Sequence, residues 1–355
     1  MLINRLAAAR AFLQRFGIDS ILFTDLRDVR YLSGFTGSEG ALLLGEDEVF
    51  LFTDSRYTTQ AANEAGGCTI VEFRDKAKAI ASQVKEIGVG SIGFQSEHVS
   101  FSFHNDILHL LPGLPLVALG PEIAALRSVK DFNEIEILTK IAAIASESFG
   151  DVVSMIRPGI SEKELALRLE LALRTRGADG KSFDFIVASG ERGALPHGRA
   201  SEKMLSCGEL VTVDFGAILD GYASDETVTI AVGRIDEKQR EIYQIVKDAH
   251  DMAIEAVRPG VALKHLDAVA RDHISEKGFG DFFRHGLGHG VGLDVHEKPV
   301  VSYRSEGEVL EGMVFTIEPG IYLPGWGGVR IEDTVCVTSD GCLLLTKVSK
   351  DLLVL

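Results

Sequence analysis

Residues 208–216 read GELVTVDFG and residues 312–320 read GMVFTIEPG, two strings with glycine at both ends and a β-rich middle that set Asp214 opposite Glu318. An earlier pair points the same way. Ile156-Arg157-Pro158-Gly159 recurs as Val257-Arg258-Pro259-Gly260, and Leu165 and Gly177 recur at the same offset as Leu266 and Gly278. The period is far too long for a solenoid unit, so it predicts a helix-plus-sheet half present twice, the two copies forming one α+β domain with a pseudo-twofold relation. This also accounts for length. A chain of 355 residues exceeds the roughly 100–150 of an ordinary domain, and a duplicated half supplies one oversized domain.

Upstream of the duplication the pattern is different. Short β-rich runs at residues 18–24, 41–45, 49–53, 68–73, 91–94 and 116–119 alternate with helical periodicity, which predicts an α/β domain. Gly120-Pro121 breaks that pattern, and Asp131 followed by Glu134 has the form of a capping box opening a long helix. The expected domains are therefore 1–125 and 126–355.

Composition excludes several classes. Hydrophobic residues at 46% and charged residues at 25% belong to a globular chain and not to a disordered or fibrous one. The surplus of 52 Asp and Glu over 36 Lys and Arg leaves a formal charge of -16, which repels nucleic-acid phosphates and anionic membranes. Neither is an expected partner. At the start, Leu2, Ile3, Leu6, Leu13 and Phe16 keep helical spacing among Arg5, Arg10 and Arg15, so no signal-peptide core forms. Nowhere do about 18 apolar residues run together as a membrane span requires. Cys68, Cys207, Cys336 and Cys342 make no CxxC pair, so neither a zinc ribbon nor a disulfide framework is expected, and a cytoplasmic location is.

The duplicated strings carry the chemistry. In residues 211–230, VTVDFGAILDGYASDETVTI, Asp220-Gly221 marks a two-residue hairpin turn. That register sets Asp214 opposite Thr227, and alternation along the strands puts Asp214 and Asp225 on one face. Residues 314–337 form the second hairpin, offering Glu318 on one strand and Glu332 on the other. A single acidic residue in an antiparallel strand ordinarily belongs to its solvated face. Here the neighbours Val213, Phe215, Ile317, Pro319, Ile331 and Val335 are apolar, so the strands are expected to be central and an unpaired carboxylate there would cost several kcal/mol. Arg330 can neutralise only one of the four.

Residues 282–297, FFRHGLGHGVGLDVHE, alternate glycine with larger residues, so an extended backbone would carry His285 and His289 on one face and bare glycine on the other. Neither a P-loop nor GxGxxG is present. A lone histidine is ordinarily structural. One imidazole beside four carboxylates instead suits manganese, iron or cobalt, whereas structural zinc prefers thiolates. Two divalent cations would balance four carboxylates and could hold a bridging hydroxide as nucleophile, which makes hydrolysis the expected chemistry. The serine-hydrolase GxSxG and the zinc-protease HExxH are both missing, and no cysteine sits in an activating motif.

Together these residues resemble the metallopeptidases of the pita-bread fold, the family of prolidase, Xaa-Pro aminopeptidase and methionine aminopeptidase. The family's five ligand motifs, VDFGA, SDxT, GHGxG, EPG and RxED, occur in order and contribute Asp214, Asp225, His289, Glu318 and Glu332. Residues 31–44 and 51–61 resemble the creatinase/prolidase amino-terminal domain, which methionine aminopeptidases lack. The resemblance implies two divalent ions per chain, Mn2+ first with Co2+ or Zn2+ as alternatives, and a homodimer acting on small peptides with proline in second place. It further implies that His197, His285 and His296 hold substrate and its tetrahedral intermediate, and that Glu318 also shuttles a proton to the leaving nitrogen. Tyr322, Arg330 and Thr227 match positions that brace the ligands. One departure is Val228, where the family usually has arginine after SDxT. A dipeptidase is expected, with an aminopeptidase acting on longer peptides as the alternative and a non-enzymatic interaction protein as a second one. Creatinase itself lacks the metal ligands.

Overall fold

In the computed structural model, which describes residues 2–355, the chain forms two units, the first ending at Arg127 and the second running Ser128–Leu355. The first unit is built on a six-stranded mixed sheet in the order Thr69–Phe73, Val49–Asp54, Ala41–Leu44, Ser20–Phe23, Ile92–Gln95, Leu116–Leu119. Each β-rich run of the sequence supplies one strand. The central strands are almost wholly buried and leucine-rich, as expected where helices cover both faces of a sheet.

The duplication is visible in the second unit as repeated geometry. Helices Glu162–Thr175 and Leu263–Glu276 have fourteen residues each, and the long helices Phe132–Val152 and Glu237–Ala256 both open on capping boxes, Asp131 with Glu134 and Asp236 with Gln239. The paired glycines adopt the same left-handed backbone: Gly159 and Gly260 at φ 90° and 82°, Gly177 and Gly278 at 98° and 87°. Only glycine takes these angles without strain. The hydrogen bond from Gly159 N to Leu205 O is repeated by Gly260 N to Val309 O, both 2.9 Å.

Each copy packs its short helix on its own strands. Leu165, Leu169 and Leu173 meet Val211, Val213 and Phe215 in one core, while Leu266, Ala270 and Ile274 meet Phe315, Ile317 and Val335 in the other. Each fully buried leucine of this kind contributes about 1.5–3 kcal/mol.

The first hairpin has the expected register, with Thr227 paired to Asp214 and both Asp220 and Gly221 at positive φ, 48° and 72°. It is not one continuous ribbon, however. Strands Glu209–Phe215 and Glu226–Val232 belong to one sheet, whereas Ala217–Leu219 and Tyr222–Ala223 join Gly180–Lys181 in another. The break falls at Gly216, where a Cβ would stand 1.9 Å from Ser224 O, so only glycine permits the fold-over that seats Asp225. The second hairpin breaks at the equivalent place: Ile317 pairs with Asp333 and Gly320 with Arg330, leaving Glu318 and Glu332 facing at the junction. Glu332 N bonds Thr227 O at 3.1 Å and so joins the two copies.

The histidine segment departs from the expectation of one extended run. Only Gly288–Gly290 is strand, and His285 precedes it. The glycines do admit close neighbours: a Cβ at Gly288 would meet Thr316 O at 1.9 Å and one at Gly290 would meet Lys298 O at 2.2 Å.

Candidate active site

At the junction of the two hairpins lies a cavity of about 620 Å3 whose wall includes Asp214, Asp225, His289, Glu318 and Glu332 together with His197, His285, His296, Tyr322 and Arg330. Thr227 is fully buried behind it. Residues more than a hundred positions apart thus meet because the copies face each other. Val228 points the other way, into the first copy's core, where an arginine would have no polar partner from that cluster.

Arg330 is the hub of the wall. Its guanidinium donates from Nη2 to Asp214 Oδ2 at 2.6 Å, from Nη1 to Tyr322 OH and Pro196 O at 3.0 Å each, and from Nε to Thr227 Oγ1 at 3.3 Å. It therefore compensates Asp214 and does not touch Glu332. That carboxylate accepts from Thr227 Oγ1 at 2.5 Å instead.

Burial and mutual repulsion govern the acids of this wall. Burial pushes the Asp225 carboxyl well above the usual range, and Glu332, Asp214 and Glu318 push it further. Glu332 is raised well up by burial and by Glu318 and Asp214. For Asp214, burial again raises the value although Arg330 opposes it. Glu318 goes the opposite way: burial would raise it, but the hydrogen bond and charge of His289 hold it at about 2. His289 is correspondingly raised, Glu318 outweighing burial.

Three features fit divalent cations. His289 Nδ1 lies 3.2 Å from Gly290 O, an acceptor only, so Nδ1 carries a proton, and the Nε2 electron pair, which a second proton or a cation must occupy, faces Glu318 Oε1 at 3.2 Å and Asp225 Oδ2 at 3.7 Å. Such a lone pair amid carboxylate oxygens demands a proton or a metal ion between them. Asp214 Oδ1 is buried with no hydrogen-bond partner among the described residues. Ligand atoms of Asp225, His289 and Glu332 all lie within 4.8 Å of one another.

The histidines differ among themselves. His285 Nδ1 faces Gly286 O at 2.8 Å and its Nε2 lies 2.9 Å from Tyr322 OH, which also accepts from Arg330. Burial lowers its pKa, so the neutral ring accepts from Tyr322. His296 lies beside His289 with ring centroids 4.2 Å apart and planes tilted by 47°, while His197 is exposed on the cavity rim.

Sequence reading missed three supports. Thr316 Oγ1 donates to Glu318 Oε1 at 3.1 Å and accepts from His289 N at 3.1 Å. Asp267, buried in helix Leu263–Glu276, accepts from Leu287 N, while Arg271 donates to the carbonyls of Phe283 and His285 at 2.7 Å each. The signal was an Asp-x-x-x-Arg pair, Asp267 and Arg271, each one place after a buried apolar residue, Leu266 and Ala270.

Comparison with known proteins agrees with this geometry. Residues 136–339 match the model of metallopeptidase family M24, and residues 5–129 match that of the creatinase/prolidase N-terminal domain. An uncharacterized peptidase, YqhT, of Bacillus subtilis is 42% identical, covering 99% of this chain and 100% of that protein. Among solved structures, an Xaa-Pro dipeptidase from Bacillus anthracis superposes with a TM-score of 0.97 at 41% identity, covering 100% of both chains. An X-Pro aminopeptidase from Thermotoga maritima gives 0.89 at 39% identity, covering 96% of this chain and 99% of the other.

Proposed function

The chain belongs to metallopeptidase family M24, and from that premise we propose that it is an Xaa-Pro dipeptidase, cleaving the bond between an amino-terminal residue and a following proline. The observation that carries this reading is the convergence of four carboxylates and His289 from the two copies in one cavity, with three further histidines on its wall. We assign Asp214, Asp225, His289, Glu318 and Glu332 as holders of two divalent ions. Mn2+ is the expected resident, with Co2+ or Zn2+ able to substitute, because an oxygen-rich set with one imidazole suits such ions. When bound, they supply Lewis-acid polarisation of the scissile carbonyl and a water of lowered pKa.

The chain's own groups do the rest. Glu318 takes a proton and passes it to the leaving nitrogen of proline, which as a tertiary amide has no N–H of its own. His197 and His296 stand on the rim to hold the substrate, and His285 with Tyr322 fixes the wall against which the tetrahedral intermediate forms. The substrates are small peptides with proline in second place, not nucleic acids or membranes, and a cytoplasmic homodimer is the proposed form. The B. anthracis dipeptidase likeness favours the dipeptide, while the T. maritima structure supports an aminopeptidase for longer peptides as second reading.

Rates of proline release from Xaa-Pro and of Xaa release from Xaa-Pro-Yaa peptides, measured with Mn2+ added, separate the two. The dipeptidase predicts the higher kcat/KM on Xaa-Pro, and Asp225→Asn should lower it by at least a thousandfold while the fold persists. No turnover of either peptide would sink the assignment.

A further inference from the structure

The segment 189–201 runs on from the end of the strand Ile186–Ser189 and brings Pro196, His197 and Arg199 to the cavity, the Pro196 carbonyl accepting from Arg330. Because His197 is exposed, the backbone of this segment decides where its ring stands. That backbone lies against the strand Gly327–Arg330: a Cβ at Gly193 would be 2.9 Å from Gly328 N, and one at Gly328 would be 2.1 Å from Gly193 O.

Both ends of the segment are tied to one side chain outside the cavity. Glu162, the first residue of helix Glu162–Thr175, is fully buried. Its Oε1 accepts from Ser189 N and Ser189 Oγ, each at 2.8 Å. Its Oε2 accepts from Ser201 N at 3.0 Å and Ser201 Oγ at 2.6 Å. Arg192 Nε, from within the segment, donates to Oε2 at 3.0 Å, and its Nη2 donates to Arg199 O at 2.6 Å. One oxygen thus holds each end.

The duplication provides an internal control. The counterpart of Glu162 in the second copy is Leu263, also the first residue of a fourteen-residue helix, and it lies in an apolar core. The fold itself therefore accepts leucine at this place. A buried carboxylate costs several kcal/mol unless it is paired and hydrogen-bonded, so the acid of the first copy answers to the segment it ties and not to the helix it begins.

We propose that Glu162 is a positioning residue for the peptidase reaction, a two-pronged anchor that fixes segment 189–201 and with it His197 and the Pro196 carbonyl. Its kinetic consequence rests on the Xaa-Pro peptidase reading; its structural consequence does not. Glutamine retains one acceptor oxygen but turns an NH2 towards two donors, so Glu162→Gln releases one end.

The test combines hydrogen exchange with kinetics on the full-length, Mn2+-loaded protein. In Glu162→Gln, exchange of peptides within 189–201 should rise at least tenfold while residues 209–232 stay protected and Mn2+ content is unchanged. The kcat/KM for an Xaa-Pro dipeptide should fall about a hundredfold, the scale of an ångström-sized misplacement. Glu162→Asp, which keeps both oxygens, should recover part of the loss and serves if the glutamine variant does not fold. In a His197→Ala background the effect of Glu162→Gln on kcat/KM should shrink, since the two act through one group. Unchanged exchange in 189–201 would overturn the anchor, as would a rise spread evenly over residues 128–355. Additive losses in the double variant would overturn the route through His197. Failure of the wild type to release proline would remove the peptidase reading, yet the exchange result would still decide the anchor.

Discussion

Arg330 and Tyr322 show how single side chains set the chemistry. The Tyr322 hydroxyl accepts from Arg330 and donates to His285 Nε2, so removing it severs the wall from its hub without emptying the core. Tyr322→Phe should keep its melting temperature within a few degrees and lose about tenfold in kcat, a cost of about 1.4 kcal/mol; unaltered kcat would show that this link has no part in turnover. Gly216 is the opposite case, a residue whose role is to have no side chain. Gly216→Ala places a Cβ where Ser224 O already stands and must move Asp225. Steady-state kinetics should show at least a hundredfold loss of kcat/KM, and wild-type activity would contradict the assigned place of Asp225.

Among the elements, the strands Glu226–Val232 and Asp333–Val337 begin directly after Asp225 and Glu332, and their first residues point to the opposite face. There Lys350 Nζ meets Glu226 Oε1 at 2.6 Å and Asp333 Oδ1 at 3.2 Å, all three buried. Breaking such a pair by removing one partner leaves charges uncompensated, so Lys350→Met should destabilise the protein by about 3–5 kcal/mol in urea unfolding; a change under about 1 kcal/mol would contradict this account. Strand positions and hairpin register were legible because alternation and the Asp220-Gly221 turn are local signals. The break at Gly216 was not, since pairing counts continue unchanged across it while the strands change sheet. The histidine run was overread for a related reason: the Leu287 amide is taken by Asp267, twenty residues upstream, so His285 is held outside the strand by a partner local periodicity does not reveal.

At the scale of the whole molecule, the repeated strings of residues 208–216 and 312–320 foretold a duplicated half, and the paired glycines and capping boxes show it in three dimensions. The four candidate acids were legible because each copy places two of them on its hairpin, and His289 because of the glycine-rich run of residues 282–297. The supporting roles of Thr316, Asp267 and Glu162 were not, because they depend on contacts between segments far apart in sequence. Concentrating four acids around one imidazole and one guanidinium predicts that bound cations stabilise the fold. At a hundredfold excess over Kd, Mn2+ should raise Tm of the chelator-treated protein by about 5–10 °C, and no shift would count against a cation site. Calorimetric titration of the metal-stripped protein with Mn2+ tests most directly whether this cavity holds two divalent ions. Two ions bound per chain in the wild type, with loss of binding in Asp225→Asn, is the predicted result; no binding, or binding indifferent to that substitution, would contradict it.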